Sequence, residues 1–192
     1  MLSSRFTEAL TYATKLHSNQ VRKGSGVPYI AHLLGVTSIA LEYGANEDEA
    51  IAALLHDAIE DQGGEATRAE IRRRFGDTVT EIVDGCTDAE TIPKPPWRER
   101  KEAYIAHIFN ASSSELLVSC ADKLHNARSI LNDYRVLGEA VWERFKGGKE
   151  GTLWYYRSLV EAFRQTGSTP LVEELERVVL ELEQLVSRDD RC

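Results

Sequence analysis

The sequence predicts an all-α fold in a single domain. Apolar residues recur at helical spacing along nearly the whole chain, and the alternation typical of half-buried strands is almost absent. The length of 192 residues is that of one domain and allows a core without disulfides. We therefore expect a helical bundle of about ten helices. The expected domain covers residues 1–192, with a motif-bearing core at about 4–166 and a C-terminal helix at 170–187.

Apolar series at intervals of three and four residues predict the first three helices. Residues 19–29 separate the first helix from the second, and they include Gly24, Gly26 and Pro28, so we predict a loop there. The three apolar series are Phe6, Leu10, Ala13 and Leu16; Ile30, Leu33, Leu34, Thr37 and Leu41; and Ile51, Leu54, Leu55 and Ile59.

The later helices are predicted partly from signals at their ends. Thr67 and Glu70 form a T-x-x-E capping box, and Gly76 follows the short helix that this box would begin. Segment 86–96 contains three prolines, which predicts an extended connection, and Pro170 is suited to open the last helix. The predicted helices cover residues 4–18, 30–43, 47–61, 68–75, 78–85, 96–109, 114–133, 139–146, 150–166 and 170–187.

The composition excludes several classes of protein. A net charge of −8 disfavours general binding to nucleic acids or to anionic membranes, because the long-range field repels polyanions. The start of the chain has no signal-peptide core, and no window holds the roughly 20 apolar residues of a membrane helix. Three cysteines without CxxC spacing suggest neither a zinc knuckle nor disulfides. We therefore expect a cytoplasmic protein in which Cys86 and Cys120 are buried thiols.

The segment HDAIED at residues 56–61 concentrates groups that bind metals. On one continuous helix His56 would share a face with Glu60, and Asp57 with Asp61, which groups an imidazole with three carboxylates. Carboxylates this close resist ionising together unless a cation neutralises them. A solvated acidic helix end is the alternative, but His56 follows the apolar run IAALL and so emerges from a core helix. We therefore favour a metal site.

Two further residues have the properties of metal ligands. His32 lies among apolar residues of the second predicted helix, where a core histidine is the alternative. Asp122 follows the apolar run LLVSCA, and a carboxylate in a mostly buried helix is rare unless it is paired or metal-bound. Two imidazoles and two carboxylates leave open positions on a six-coordinate ion, and such mixed donors suit Mn²⁺ or Fe²⁺ better than Ca²⁺.

These residues carry a resemblance to a known family. His32, the His56-Asp57 pair and Asp122 are similar to the H…HD…D pattern of the HD superfamily of metal-dependent phosphohydrolases. Five ordered motifs more narrowly resemble the alarmone hydrolases, which comprise the hydrolase half of Rel/SpoT enzymes and the small free-standing alarmone hydrolases, including the metazoan SpoT homologue. These motifs are RKGSGVPYIAH (22–32), LLHDAIED (54–61), TIPK (91–94), ERK (99–101) and ADKLHNAR (121–128).

The resemblance implies hydrolysis of guanosine 3′,5′-bis(diphosphate) (ppGpp) and its pentaphosphate relative to pyrophosphate and GDP or GTP. It also implies one Mn²⁺ ion, with Fe²⁺, Mg²⁺ or Zn²⁺ as other candidates. Glu60 and Asp61 would act on the attacking water, and the sequence does not assign which of the two transfers the proton. The implied ligands of the ion are His32, His56, Asp57 and Asp122.

The resemblance also implies contacts with a small nucleotide substrate. Arg22 and Lys23 correspond to a pair that meets the base and phosphates, and a planar guanidinium suits both stacking and phosphate binding. A solvated charge pair is the alternative for these two residues. The other implied contacts are Lys94, Asn126, Tyr155 and Tyr156. For either of the two tyrosines, packing in the core is an equally good explanation.

Two other functions fit the sequence. The protein could be an HD phosphohydrolase of adenine alarmones, NADPH or another nucleotide, because the metal site would be common to all of these. It could instead bind an alarmone or act as an antitoxin without turnover, but a pure binder has no use for the water-handling pair Glu60 and Asp61. No synthetase-like portion follows the motifs, which predicts hydrolysis alone. The sequence leaves oligomeric state and regulation open.

Overall fold

The computed structural model describes residues 1–87 and 93–189. Within these two ranges every regular element is a helix and there is no strand. The all-α prediction of about ten helices is therefore confirmed. A 3₁₀-helix at Gly138–Arg144 stands where a helix was predicted at 139–146. The α-helices are α1 (Ser4–Leu16), α2 (Ile30–Glu42), α3 (Glu47–Leu55), α4 (Ala58–Asp61), α5 (Glu65–Phe75), α6 (Asp77–Cys86), α7 (Trp97–Ile108), α8 (Ser113–Leu137), α9 (Gly148–Thr166) and α10 (Pro170–Asp189).

The chain divides into two compact units. The first consists of Met1–Pro95 and Ala111–Asp122, and the second of Pro96–Asn110 and the residues from Lys123 onward. Helix α8 therefore begins in the first unit and ends in the second. The organisation of residues 1–192 as one domain stays a prediction.

Helix α3 is the central element of the first unit, where it packs against α1, α2 and α6. Every residue from Ala50 to Leu55 is fully buried, because neighbouring helices cover this segment on all sides. A capping box begins the helix: the Asn46 side chain accepts the Glu49 amide hydrogen, and the Glu49 carboxylate accepts that of Asn46. Residues 56 and 57, which follow α3, therefore begin at a buried position in the middle of the core.

The predicted helix at 47–61 is interrupted. Helix α3 ends at Leu55, a turn contains His56 and Asp57, and the short α4 follows. The backbone of the turn stays near helical values, with φ −98° and ψ −1° at Asp57. Because the distortion is small and lies within a helix-compatible sequence, apolar periodicity did not reveal it.

The predicted capping box at Thr67 and Glu70 was wrong. Helix α5 already begins at Glu65, and the Thr67 hydroxyl donates to the carbonyl oxygen of Gln62. Residues 63 and 64 are glycines with φ values of 120° and 58°, a left-handed backbone that glycine adopts without strain. This glycine turn starts the helix earlier than the capping signal indicated.

Other boundary predictions agree with the structure within a few residues. Helix α6 ends at Cys86 and α7 begins at Trp97, and residues 93–96 between them are not helical, as predicted. Thr91 and Ile92 of the TIPK motif lie outside the described residues. Cys86 and Cys120 are buried and form no disulfide within the described residues, which confirms that prediction. No helix of residues 1–87 and 93–189 is both long and apolar enough to cross a membrane.

The second unit is built on α9, which packs against α7, α10 and the 3₁₀-helix. Trp97 at the start of α7 lies edge-on to Trp154 and Tyr155 of α9, with ring centroids 6.2 and 6.3 Å away. Its indole also covers Gly147, where a Cβ atom would come within 2.6 Å of the ring. The absence of a side chain at residue 147 is therefore what allows the indole to pack there.

We predict that Gly147→Ala lowers the free energy of unfolding by about 1–3 kcal/mol, the usual cost of overpacking. The half-buried Trp97 indole packs edge-on to the rings of Trp154 and Tyr155, so turning away from the new methyl group would cost these contacts. Urea denaturation followed by far-UV circular dichroism measures the change.

Gly85→Ala is the matched control for this prediction. Its Cβ would come within 2.5 Å of the Glu115 carboxylate, but this is the end of a long unbranched side chain, which can move aside at the cost of its hydrogen bond from Ser112. Alanine is also favoured over glycine inside a helix, by roughly 1 kcal/mol. Equal destabilisation of the two variants would contradict the argument that a confined ring makes the difference.

Candidate metal centre

Four side chains of the first unit converge on one point. His32 comes from α2, His56 and Asp57 from the turn after α3, and Asp122 from α8. The Nε2 atom of His32 lies 3.6 Å from Asp57 Oδ2 and 3.2 Å from Asp122 Oδ1. The Nε2 atom of His56 lies 3.0 Å from Asp57 Oδ2 and 3.4 Å from Asp122 Oδ1. Two nitrogen and two oxygen atoms therefore surround a common space.

The spacing of these atoms fits a bound cation. Ligands about 2.1 Å from an ion and at right angles to each other lie about 3 Å apart, close to the separations in this cluster. Among the described residues, His32, His56 and Asp57 offer atoms that could hold a metal ion together. The Nε2 atom of His56 is buried and lacks a hydrogen-bond partner in this part of the chain, although it contacts Asp57. A buried polar atom in that state needs an explanation, and a bound cation would provide one.

A hydrogen bond on the far side of the ring orients His56. Its Nδ1 atom lies 2.9 Å from the carbonyl oxygen of Ala53, one turn back in α3. A carbonyl oxygen only accepts, so Nδ1 carries the hydrogen and donates it. In the neutral ring this leaves the Nε2 lone pair directed at the cluster, which is the usual arrangement of a metal-binding histidine.

Electrostatics also indicate that the cluster needs positive charge. Burial lowers the pKa of His56, but the Asp57 charge and the contacts with both aspartates outweigh it and raise the pKa well above its ordinary value. Burial raises the pKa of Asp57, but the His56 charge and the contacts with both histidines hold it well below its ordinary value. A proton on His56 therefore offsets part of the negative charge of the cluster when no metal is bound, and a divalent cation can take over that role.

The turn between α3 and α4 separates the carboxylates of the HDAIED segment. Asp57 joins the histidines, whereas Asp61 accepts a hydrogen bond from Gln20 Nε2 at 2.8 Å. Glu60 accepts one from Lys94 Nζ at 2.6 Å. The three carboxylates therefore do not act as one group on the shared helix face that we expected. Each has its own partner: His56 for Asp57, Gln20 for Asp61 and Lys94 for Glu60.

The two predicted catalytic carboxylates differ in their surroundings. Burial and the neighbouring Asp57 charge raise the pKa of Asp61, while the Gln20 hydrogen bond lowers it in part. Glu60 is only 18% exposed and contacts Lys94, which is 41% exposed. A raised pKa makes the Asp61 carboxylate a stronger base, which suits a proton acceptor beside a metal cluster.

The loop at 19–29 contains Arg22 and Lys23, as predicted. An isolated antiparallel bridge joins Val21 to Pro28 at its base. Lys23 is exposed and Arg22 is half-buried, with its guanidinium 5.9 Å from the centre of the Tyr29 ring. The proposed substrate cations are therefore presented on a folded hairpin.

Tyr29 and Gln20 are site residues that the sequence analysis missed. The Tyr29 hydroxyl donates to Asp57 Oδ2 at 2.5 Å, and Gln20 donates to Asp61. Burial and the Asp57 charge hold the pKa of Tyr29 far above its ordinary value, so its hydroxyl remains a donor. The available signals were their positions near the two ends of the predicted loop at 19–29 and, for Tyr29, its place in the motif RKGSGVPYIAH.

The remaining predicted substrate contacts lie in the second unit. Asn126 is half-buried on α8. Tyr155 and Tyr156 are 6% and 5% exposed, and the Tyr155 ring is surrounded by other aromatic rings and by the Lys101 ammonium, 4.8 Å from its centre. Packing thus accounts for both tyrosines, and their contact with substrate stays a prediction.

Comparison with known proteins decides the family. Residues 9–152 match the HD domain family. The chain belongs to this family. HD-domain membership implies a divalent metal, and His32, His56 and Asp57 provide a site for one in the first unit.

Several HD-domain relatives share most of their length with this chain. The guanosine-3′,5′-bis(diphosphate) 3′-pyrophosphohydrolase MESH1 of Xenopus tropicalis is 41% identical over 126 residues, which cover 64% of this chain and 68% of the relative. The human protein of the same name is 34% identical over 182 residues, or 87% of this chain and 97% of the relative.

Solved structures agree with this grouping. A metazoan orthologue of SpoT, described as hydrolysing ppGpp and acting in starvation responses, has a TM-score of 0.77 and 26% identity, covering 93% of this chain and 95% of its own. A protein of Listeria monocytogenes EGD-e has a TM-score of 0.70 and 31% identity, covering 81% of this chain and 99% of its own.

We predict that a divalent metal such as Mn²⁺ stabilises the protein through this cluster. At a free metal concentration of one hundred times the Kd, the free energy of unfolding should rise by about 2.7 kcal/mol. Asp57→Ala should abolish the increase and lower the metal content of the purified protein, because it removes one ligand and its charge. Urea denaturation with and without a chelator, together with elemental analysis, measures both effects.

Asp77→Ala is the control for this prediction, because it removes an aspartate whose side chain is 78% exposed and contacts Arg72 outside the cluster. This control should keep the parental metal content and the parental response to Mn²⁺. Metal content in Asp57→Ala equal to that of the parent would exclude Asp57 as a ligand.

Proposed function

We propose that this HD-domain protein is a metal-dependent guanosine-3′,5′-bis(diphosphate) 3′-pyrophosphohydrolase. It removes the 3′-diphosphate of ppGpp or pppGpp, releases pyrophosphate with GDP or GTP, and so ends alarmone signalling. The observation that carries the proposal is an HD-type cluster of histidines and aspartates in a chain that aligns with a hydrolase of this name over 97% of that relative's length.

We propose Mn²⁺ as the ion. The ligands are the four residues whose atoms surround the central space: His32, His56, Asp57 and Asp122. Equal numbers of imidazole nitrogens and carboxylate oxygens support this assignment, because such mixed donors suit Mn²⁺. When bound, the ion supplies positive charge at the phosphoryl group and acidifies water.

The two carboxylates after the HD pair handle the protons of the reaction. Hydrolysis requires that a water oxygen attack the 3′ phosphorus, that the bond from phosphorus to the ribose 3′ oxygen break, and that this oxygen receive a proton. Asp61, with its raised pKa and its orientation by Gln20, is suited to accept the proton of the water. Glu60 is the neighbouring residue in the chain and accepts a hydrogen bond from the Lys94 ammonium. It is the second member of the pair that handles protons, and it works next to a positive charge.

Local cations bring in the anionic substrate. The chain has a net charge of −8, so its long-range field opposes the approach of a polyphosphate. Arg22 and Lys23 on the hairpin, and the 41% exposed Lys94 beside Glu60, offset this field where the chemistry takes place. Asn126, Tyr155 and Tyr156 complete the proposed substrate contacts by resemblance alone.

The proposal includes one domain and a cytoplasmic location. The matched HD domain spans residues 9–152 and so includes parts of both compact units, which supports treating them as one domain. Cys86 and Cys120, which form no disulfide in the part of the chain that the structure describes, are consistent with a reducing compartment.

The deciding experiment offers ppGpp, ppApp, NADPH and dGTP in parallel to the Mn²⁺-loaded protein and measures release of pyrophosphate and phosphate. Pyrophosphate from ppGpp that is lost in Asp57→Ala is the expected result. Turnover of another compound only would keep the metal site and change the substrate. Binding of ppGpp without turnover would replace the hydrolase by a binding module.

We predict that Glu60→Gln lowers kcat about a hundredfold or more, the scale of losing a positioned acid or base. The substitution keeps the shape of the side chain, so the fold and the Mn²⁺ affinity should be unchanged. Steady-state kinetics on ppGpp and calorimetric titration with Mn²⁺ measure the two properties. Glu81→Gln, the same change at an exposed position of α6, is the control and should retain parental kcat. A kcat in Glu60→Gln within a few-fold of the control would remove Glu60 from the pair that handles protons and leave Asp61 alone in that role.

A further inference from the structure

The base of the 19–29 loop reaches both aspartates of the HDAIED segment. The bridge between Val21 and Pro28 closes the loop, and the Tyr29 amide donates to the Gln20 carbonyl oxygen at 2.9 Å. Gln20 and Tyr29 are therefore held side by side by the backbone, one at each end of the hairpin. Both of their side chains are directed at carboxylates about 28 to 41 residues further along the chain.

Tyr29 contacts the oxygen of Asp57 that faces the metal cluster. Its hydroxyl donates to Oδ2 at 2.5 Å, and the same oxygen lies 3.0 Å from His56 Nε2 and 3.6 Å from His32 Nε2. A carboxylate oxygen has two lone pairs, so a donor on one leaves the other for a cation. The hydrogen bond also prevents the carboxylate from rotating away from the cluster.

Gln20 holds Asp61 in one orientation. Its Nε2 donates to Asp61 Oδ2 at 2.8 Å, while its Oε1 accepts from Gln62 Nε2 at 2.5 Å and lies 2.6 Å from His17 Nδ1. A carboxylate only accepts and the Gln62 amide nitrogen only donates, so the Gln20 amide group cannot be reversed without losing these bonds. The carboxylate of Asp61 thus has a fixed donor on one oxygen.

His17 contacts both Tyr29 and Gln20. It is buried at the end of α1, its ring stacks on the Tyr29 ring with centroids 5.2 Å apart and planes 17° apart, and its Nδ1 atom contacts Gln20. One buried imidazole therefore restricts the rotamers of Tyr29 and Gln20 together. A hydrogen bond made by a side chain that is already ordered orients its partner at little further cost in entropy.

We propose that Tyr29 and Gln20 are positioning residues of this enzyme. Tyr29 fixes the Asp57 carboxylate as a metal ligand, and Gln20 fixes the Asp61 carboxylate for proton transfer. The Gln20 half of the proposal rests on the proposed function, whereas the Tyr29 half requires only a metal site. The two halves therefore need different measurements.

Tyr29→Phe tests the first half. The variant removes one hydroxyl and keeps the ring that stacks on His17, so the fold should be retained. We expect the Kd for Mn²⁺ to rise about 10- to 100-fold, as is typical when the hydrogen-bond partner of a ligand is lost. Calorimetric titration of the metal-free protein with Mn²⁺ measures the Kd, and its circular dichroism and melting temperature without metal verify the fold.

Tyr134→Phe is the matched control for the first half. The Tyr134 hydroxyl also donates to carboxylates, Glu139 at 2.9 Å and Asp189 at 3.0 Å, but in the second unit. This control should keep the parental Kd even where it lowers stability. A parental Kd in Tyr29→Phe would overturn the role of Tyr29, and an equal rise in both variants would show a general effect of losing a buried hydroxyl.

Gln20→Leu tests the second half. We expect kcat to fall about ten- to hundredfold, the scale of a misoriented catalytic group, with KM and the Kd for Mn²⁺ unchanged. A merely structural role would instead change KM or metal affinity along with kcat. Gln165→Leu is the control, since Gln165 makes a similar bond to the Glu161 carboxylate on the exposed surface.

The outcomes separate this proposal from the proposed function. If the parent protein hydrolyses no nucleotide, the Gln20 half is overturned together with the hydrolase assignment, while the metal titration still decides the Tyr29 half. If the parent hydrolyses ppGpp and Gln20→Leu retains the parental kcat, only the Gln20 half is overturned.

Discussion

The structure depends on one electrostatic constraint, which is that two carboxylates and two imidazoles share a mostly buried space at the end of α3. Two ionised carboxylates in such a space repel each other unless a cation lies nearby. The fold nonetheless brings them together, because α3 is fully buried along Ala50–Leu55 and its end is therefore held in place by the core. The stability of the core thus fixes the ligand atoms in a geometry that favours a divalent cation.

A small distortion of the backbone accompanies this arrangement. Side chains of consecutive residues on a regular helix point about 100° apart, so two neighbours do not normally face one point. The turn at His56 and Asp57 brings Nε2 and Oδ2 within 3.0 Å. The Ala53 carbonyl, left by the same helix end, orients the imidazole. The turn that interrupts the helix therefore belongs to the site, because it contains two of the proposed ligands and because a carbonyl group at the end of α3 orients one of them.

Most of the helices were predictable from sequence because apolar periodicity is a local property, and the residue types of the HD motif drew attention to its four proposed ligands. The turn at 56–57 was not predictable, since nothing in IAALLHDAIED breaks a helix and the distortion depends on packing. Tyr29 and Gln20 were missed for a related reason. Their residue types carry no chemical signature, and their roles arise from contacts 28 and 41 residues away in the chain.

The pairing of Lys94 with Glu60 connects substrate binding to the chemistry under the proposed function. A partly exposed ion pair contributes at most about 1 kcal/mol, so the contact is easily exchanged. A diphosphate group carries more negative charge than one carboxylate and can compete for Lys94, which is 41% exposed. If the ammonium moved to the phosphate, Glu60 would lose its ion pair with Lys94. Lys94 would then both bind the substrate and alter the electrostatic surroundings of Glu60, a proposed catalytic carboxylate. Because the chain has a net charge of −8, each local cation matters more for binding an anionic substrate.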